Sequence, residues 1–325
     1  MSICWGIEGT SGLGKGWAAT IGNFDGVHLG HQALIAAARE TADRLGAKGV
    51  VVVTFEPHPM SVLRPDKAPG VLTTIALKSR LLQAAGADHV AAVTPDYRML
   101  NLSPKAFIEE YLIGPLGPRA VIEGPNFNFG YGRSGNVETL YDLGRQFGFE
   151  VVIVAAEQAP VNDGRMAMCS SSRIRDLLEC GRVSLAMAAL SRPYRLVGPV
   201  VPGRGIGRRL GFPTANIRPG RQVVPAEGVY AGRVLVGADE SAVCEDRPLM
   251  PAVFSIGRAK TFLSDYPLLI EAHVLDADPG DLRGRWLAMD FVDRIRGQQR
   301  FSGPQALAEQ IKRDCDTARG VLRTA

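Results

Sequence analysis

The sequence predicts an α/β domain with a mostly parallel sheet, followed by a small antiparallel β-barrel with a C-terminal helix. Three observations predict it. The first half alternates short apolar, β-branched runs with helix-periodic segments, the order of parallel strands joined by crossover helices. Near residue 190 that texture stops, and short apolar runs split by Gly and Pro take over, as in small antiparallel barrels. The chain then closes on one long helix-periodic segment, PQALAEQIKRDCDTARGVL.

Taken in order, AATI (18–21) reads as a strand. In the following HQALIAAARETADRLGA, Leu34, Ala37, Ala38, Thr41, Ala42 and Leu45 recur at helical spacing, and Gly46 is the expected stop. GVVVVTF (49–55) is a continuous β-branched run, expected of a parallel strand buried on both faces. LKSRLLQAAGA predicts a helix and HVAAV (89–93) a strand. SPKAFIEEYL starts a helix, with Ser103 as cap and Pro104 just inside. AVIEG, VETLYDLGRQF and FEVVIVA continue as strand, helix and strand. YRLVGPVV, GVYAGRVLV, MPAVFSIG, LLIEAHVLD and RWLAMDFV supply the barrel.

A length of 325 residues suits two domains, and 46% hydrophobic with 22% charged residues is ordinary for a globular protein. The net charge of +4 is too mild and dispersed to make nucleic acid the main partner. No apolar run reaches the roughly 18 residues of a membrane span, and MSICWGIEGT lacks a signal pattern. Cys4, Cys169, Cys180, Cys244 and Cys315 are scattered and odd in number, and read as reduced thiols of a cytoplasmic protein. The expected partners are small molecules, with no nucleic acid and no membrane; an oligomer stays open.

The chemistry concentrates first in GNFDGVHLGHQ (22–32), where His28 and His31 stand among glycines on a strand–turn–helix junction. Such a junction offers unpaired N–H groups and a positive dipole end, which suit an anion. Three readings compete: a phosphate-handling loop, a metal site and a plain turn. The metal reading wants a third ligand; His58 and Glu56 are available, but nothing selects them. GTSGLGKG (9–16) nearly fits a P-loop, yet Gly16 stands where Ser or Thr must reach magnesium and no buried strand precedes it. In the second half, Glu271 interrupts the apolar run LLIEAHV, where a buried carboxylate is costly; strand alternation can also simply turn it outward. His273 shares its face.

Six segments in order resemble the prokaryotic bifunctional riboflavin kinase/FMN adenylyltransferase (FAD synthetase) family. They are GNFDGVHLGHQ, similar to the HxGH-type nucleotidylyltransferase signature; FEPHP (55–59); GPNFNFGYGRSGN (124–136); SSSRIRDLLECGRVSLA; ALSRPYRLVGPVVPGRGIGRRLGFPTANI; and PAEGVYAG with IEAHVLD. The resemblance implies a Rossmann-like nucleotidylyltransferase domain over 1–186 and a riboflavin kinase barrel over 187–325. It implies riboflavin phosphorylation to FMN and FMN adenylylation to FAD, with ATP as co-substrate and Mg2+ as cofactor. A monofunctional adenylyltransferase with a degenerate barrel, and a non-catalytic flavin-binding regulator, remain alternatives.

The roles it implies are these. His28 and His31 are catalytic for adenylyl transfer; Gly22, Asn23, Phe24, Asp25, Asn126, Ser171, Ser172 and Arg175 bind its ATP; Phe55, Pro57 and His58 meet flavin. In the barrel, Gly203, Gly205, Gly207 and Arg208 cover ATP phosphates, Thr214 and Asn216 of GFPTANI hold the metal, Glu271 is the base, and Arg296 meets flavin. A neutral-oxygen pair suits a hard cation completed by phosphates and water. The chain departs from the family at GRAKTF (257–262), at LRG (282–284), and at Gln298, where an acid is usual. It also has Asn126 for Asp and Ser172 for Thr.

Overall fold

The computed structural model describes residues 3–162, 164–203, 205–258 and 268–324. The chain divides into two compact units, residues 1–69 with 78–158, and residues 70–77 with 159–325.

The first unit is built on a six-stranded, wholly parallel sheet. Its strands are β1 (Cys4–Trp5), β2 (Ala18–Gly22), β3 (Val50–Phe55), β4 (His89–Val93), β5 (Ala120–Glu123) and β6 (Glu150–Ile153), in the order β1-β4-β3-β2-β5-β6. Val50, Val51, Val52 and Val53 of β3 are fully buried, because a sheet covered on both faces leaves no polar side for alternation. The histidine loop follows the second strand rather than the first, since the two-residue edge strand β1 is too short to announce itself. The helix Leu29–Leu45 packs Ile35, Ala38, Thr41 and Ala42 inward and ends on Gly46 in the left-handed region, at φ 59°. Ser103 accepts the Ala106 N–H at 3.3 Å, so its helix begins at Pro104 as its sequence predicts. The near-P-loop segment forms a short 3-10 helix, Glu8–Leu13, and Trp17 is buried beside β2.

The second unit contains a two-stranded sheet, β7 (Gln158–Asn162) and β8 (Arg165–Met168), which lacks a clear alternation in the sequence. The helices Ser171–Glu179 and Val183–Leu190 follow. A closed antiparallel barrel comes next, with β9 (Tyr194–Val201), β10 (Ala215–Ile217), β11 (Gly228–Gly237), β12 (Met250–Arg258), β13 (Leu268–Val274) and β14 (Trp286–Arg296). They close in the order β10-β13-β12-β11-β14-β9. Five of these match the expected apolar runs; β10 is only three residues long and carries no periodicity of its own. The helix Pro304–Thr324 lays Cys315 and Ala318 against Val229, Ala231 and Val253. A forked pair of hydrogen bonds from Arg195 to Asp290, at 2.6 and 2.7 Å, ties β9 to β14.

Candidate active site

In the first unit the strand order reverses between β2 and β5, and in open parallel sheets ligands lodge beyond the carboxyl ends at such a point. Three of the sequence motifs leave the sheet on that side: the histidine loop after β2, FEPHP after β3 and the Asn126 loop after β5. His28 caps the helix Leu29–Leu45 with extended backbone (φ −73°, ψ 174°), and His31 lies in its first turn. Three residues of helix bring the imidazoles over one another, with ring centres 3.7 Å apart and planes 18° from parallel. A Cβ at Gly30 would stand 3.3 Å from the His28 ring, so glycine there leaves room for the stack. The loop pays a conformational cost: Phe24 and Val27 adopt positive φ, 47° and 43°. The Thr54 hydroxyl donates to Asn23 O at 3.1 Å, and Gln32 Nε2 donates to Val27 O at 2.9 Å.

Asn23 is exposed and Gly22 half-buried, whereas Asp25 and Phe24 are buried. The Phe24 ring belongs to the core and meets His31 at 5.0 Å, so what Phe24 can offer a nucleotide is its backbone. Phe55 and His58 are half-buried and Pro57 exposed; His58 Nδ1 accepts the Met60 N–H at 3.1 Å. Asn126 is exposed, and its carbonyl accepts from the Asn128 amide at 2.7 Å. Among the described residues no group of three or more His, Cys, Asp or Glu could hold a metal ion, so neither His58 nor Glu56 completes a metal site with the two histidines.

Sequence reasoning missed Lys78. Its ammonium is buried 3.6 Å from Glu56 Oε2 and 3.4 Å from Phe55 O, and burial pushes its pKa down while Glu56 and Asp25 push it up. It therefore ties together residues from the loops after β2 and β3. The available signal was its place on an apolar helical stripe with Leu82.

In the second unit, Ser170 caps the helix Ser171–Glu179 by accepting the Arg173 N–H at 3.3 Å. Capping thus falls to Ser170, and Ser171 and Ser172 occupy the first two helical positions. Arg175 Nε donates to Gly70 O at 2.7 Å.

Among the described residues, two cavities of the barrel are lined by residues singled out in the sequence. One, of about 960 Å³, is lined by Gly203, Arg208, Thr214, Asn216, His273 and Arg283. The other, of about 230 Å³, is lined by Gly207, Thr214, Glu271, His273, Arg296 and Gln298. Thr214 and His273 line both. Strand alternation places the buried Ile270, Ala272 and Val274 on one face of β13 and Glu271 and His273 on the other, where both line the smaller cavity. Thr214 Oγ1 donates to Glu271 Oε1 at 3.3 Å, and Asn216 stands opposite Glu271 in the β10–β13 register. Asn216 is buried and packs on Gly203, where a Cβ would stand 2.2 Å from its amide nitrogen. His273 Nδ1 lies 2.8 Å from Pro213 O, which fixes its ring beside the Thr214 turn. Gly205 takes φ 68°.

Arg296 lines the smaller cavity with its guanidinium forked onto Asp314, at 2.9 and 2.6 Å. Gln298 Nε2 donates to Ile256 O at 2.8 Å and to Ser255 Oγ at 3.3 Å, bonds an ionised acid cannot donate. Leu282 and Arg283 border the larger cavity. Of GRAKTF, the part from 259 onward, including Lys260, lies outside the described residues.

A parallel-sheet module with two imidazoles on a helix opening, and a barrel whose Thr, Asn and Glu converge on adjoining cavities, define a two-module phosphate-transfer enzyme. Residues 13–171 match the FAD synthetase family and residues 190–322 the riboflavin kinase family. The bifunctional riboflavin kinase/FMN adenylyltransferase of Escherichia coli (strain K12) is 37% identical over 305 residues, covering 94% of this chain and 92% of its own. That of Pseudomonas fluorescens is 36% identical over 321 residues, 99% and 98% of the two chains. That of Haemophilus influenzae is 33% identical over 324 residues and the full length of both. The chain belongs to the bifunctional riboflavin kinase/FMN adenylyltransferase family. A crystal structure described as a macrolide-efflux protein from Streptococcus pneumoniae shares the fold, with a TM-score of 0.79 and 28% identity over 94% of each chain. Among the described residues of the present chain, no helix is long and apolar enough to cross a membrane.

Proposed function

We propose that this chain phosphorylates riboflavin to FMN and adenylylates FMN to FAD, with ATP as donor in both reactions. One observation carries the reading: a single chain, similar along its length to the bifunctional enzymes, keeps the histidine stack in one unit and the Thr214–Glu271 contact in the other. The proposed functional division is 1–186 for adenylyl transfer and 187–325 for the kinase, and the proposed location is the cytoplasm.

In adenylyl transfer, an FMN phosphate oxygen attacks the α-phosphorus of ATP. One P–O bond forms, the α–β bridging P–O bond breaks, and pyrophosphate leaves. No proton need be abstracted from the nucleophile, so catalysis rests on positioning and on charge stabilisation. His28 and His31 donate to oxygens of the α-phosphate at the helix opening. Gly22, Asn23, Phe24, Asp25 and Asn126 shape the nucleotide site, and Ser171, Ser172 and Arg175 contribute donors to ATP. Phe55, Pro57 and His58 face the flavin.

In the kinase, Glu271 takes the proton of the ribityl hydroxyl as its oxygen attacks the γ-phosphorus and ADP leaves. Gly203, Gly205, Gly207 and Arg208 cover the phosphates, and Arg296 borders the flavin. Magnesium fits Thr214 and Asn216: both offer neutral oxygens, and Asn216 sits in a cradle that a Cβ at 203 would fill. When bound there it would screen phosphate charge beside the bond that breaks. The Thr214 hydroxyl, which donates to Glu271 Oε1 at 3.3 Å, would be one of the two oxygens that hold it.

Purified protein incubated with ATP, magnesium and riboflavin, and separately with FMN, tests the reading by chromatography of products. FMN and FAD from the first and FAD from the second are expected. FAD from FMN alone points to a monofunctional adenylyltransferase, and flavin bound without product to a regulator.

A further inference from the structure

Glu123 ends β5 with a carboxyl that is 3% exposed, and the transfer mechanism above does not use it. Strands β2 and β5 pair through Ala18↔Ala120 and Ala19↔Val121 and no further, although both strands continue. Past that point the ladder opens, at the place where the strand order reverses and the ligand crevice begins. The Glu123 side chain fills the opening. Its Oε1 accepts the Ile21 N–H at 2.8 Å and lies 3.4 Å from the Thr20 hydroxyl. A side-chain carboxyl thus satisfies a buried backbone donor that the parted ladder leaves behind.

The bond is placed one residue before Gly22, the root of the histidine loop. From the opposite neighbour, β3, Thr54 grips the Asn23 carbonyl at 3.1 Å. The loop root is therefore held by one side chain from each flanking strand. The span beyond it carries positive φ at Phe24 and Val27, a geometry that persists only where its surroundings enforce it. Glu123 also leads directly into Gly124, Pro125 and Asn126, so one side chain couples the histidine loop to the asparagine loop.

We infer that Glu123 is a positioning residue for adenylyl transfer: through the Ile21 N–H it fixes the strained loop that carries His28 and His31, without itself touching substrate. The inference rests on the adenylyltransferase reading of that site. Burial pushes the carboxyl pKa well above its ordinary value, opposed by the Ile21 and Thr20 hydrogen bonds, so the gripping group is an acceptor that needs no charge. Glutamine is then its isostere.

Three variants test it in the full chain. Glu123→Gln keeps the acceptor, Glu123→Asp withdraws it by one methylene, and Glu123→Leu removes it while filling the space. Expected for Asp and Leu is a kcat for FAD formation from FMN lowered about 10- to 100-fold, with riboflavin phosphorylation unchanged. Amide hydrogen exchange over residues 21–27 should be faster in both. Expected for Gln is rescue of rate and protection together. The Asp variant decides the matter if Leu does not fold. Wild-type rate and protection in Asp and Leu overturn the inference, as does a Gln variant as impaired as Leu. Exchange reports on Glu123 even where wild-type protein makes no FAD, an outcome that counts against the functional reading alone.

Discussion

Replacing Gly203 by alanine should separate the two activities with a single methyl group. The added Cβ would stand 2.2 Å from the Asn216 amide nitrogen and 3.0 Å from its Cγ. Non-bonded heavy atoms settle at roughly 3.5 Å, so the amide must retreat by about 1 Å. It has little room to do so, because Asn216 is 6% exposed and its backbone is paired with Val201 on one side and Glu271 on the other. The side chain has to rotate, and the oxygen pair with Thr214 is lost. A displacement of about 1 Å in a positioned group costs on the order of 100-fold in rate, which is about 2.7 kcal/mol of transition-state stabilisation. The assay is steady-state phosphorylation of riboflavin across a magnesium titration, with FAD formation from supplied FMN on the same preparation as control. Kinase kcat/KM should fall about 100-fold with a raised magnesium requirement, while the control stays within about twofold. A kinase within about threefold of wild type at every magnesium concentration would refute the placement of Asn216 in the metal site.

His28→Ala removes one donor at the helix opening and should lower FAD formation about 100- to 1,000-fold, leaving FMN formation intact; loss of both in a folded protein would show that the activities are not independent. Glu271→Gln should cut kinase turnover by about 100- to 10,000-fold with riboflavin binding, read by flavin fluorescence, largely kept; normal turnover would place the base elsewhere. Arg296→Ala leaves the Asp314 carboxylate, in a pair exposed by only 14% and 4%, without its fork. It should destabilise the protein by about 3–5 kcal/mol in urea unfolding, and a loss below about 1 kcal/mol would mean that water or Gln310 compensates. Glu123 sets a pH dependence of stability: the unfolded carboxyl ionises near 4.5, while the folded one keeps its proton to higher pH. Its contribution is complete below that value and lost as pH rises through the folded pKa, so wild type should lose stability relative to Glu123→Gln on going up from pH 4.5. A difference that stays flat with pH would refute the protonated state.

The same kind of signal was legible in two places, and only one of them was read from the sequence. An acid inside an apolar strand marks Glu271 in LLIEAHV, and it marks Glu123 in AVIEG equally. The structure separates them: β13 turns Glu271 to a cavity wall, whereas Glu123 is folded back on its own sheet to meet Ile21.

What the sequence determined by itself was local and periodic. The β-branched run of β3, the helix spacing after His31 and the Gly46 stop depend on neighbours within a few residues, and so they announce the parallel sheet. The motifs GNFDGVHLGHQ and GFPTANI likewise carry their residue types on their face. Only the tertiary structure decided what lies side by side. The three-residue strand β10 exists because β9 and β13 offer it hydrogen-bonding edges. Lys78 became a buried link because the loops after β2 and β3 close around it. Arg296 met Asp314 because the last helix folds back across the barrel. Contacts of that kind join residues far apart in the chain, and nothing in a short window of sequence encodes the partner.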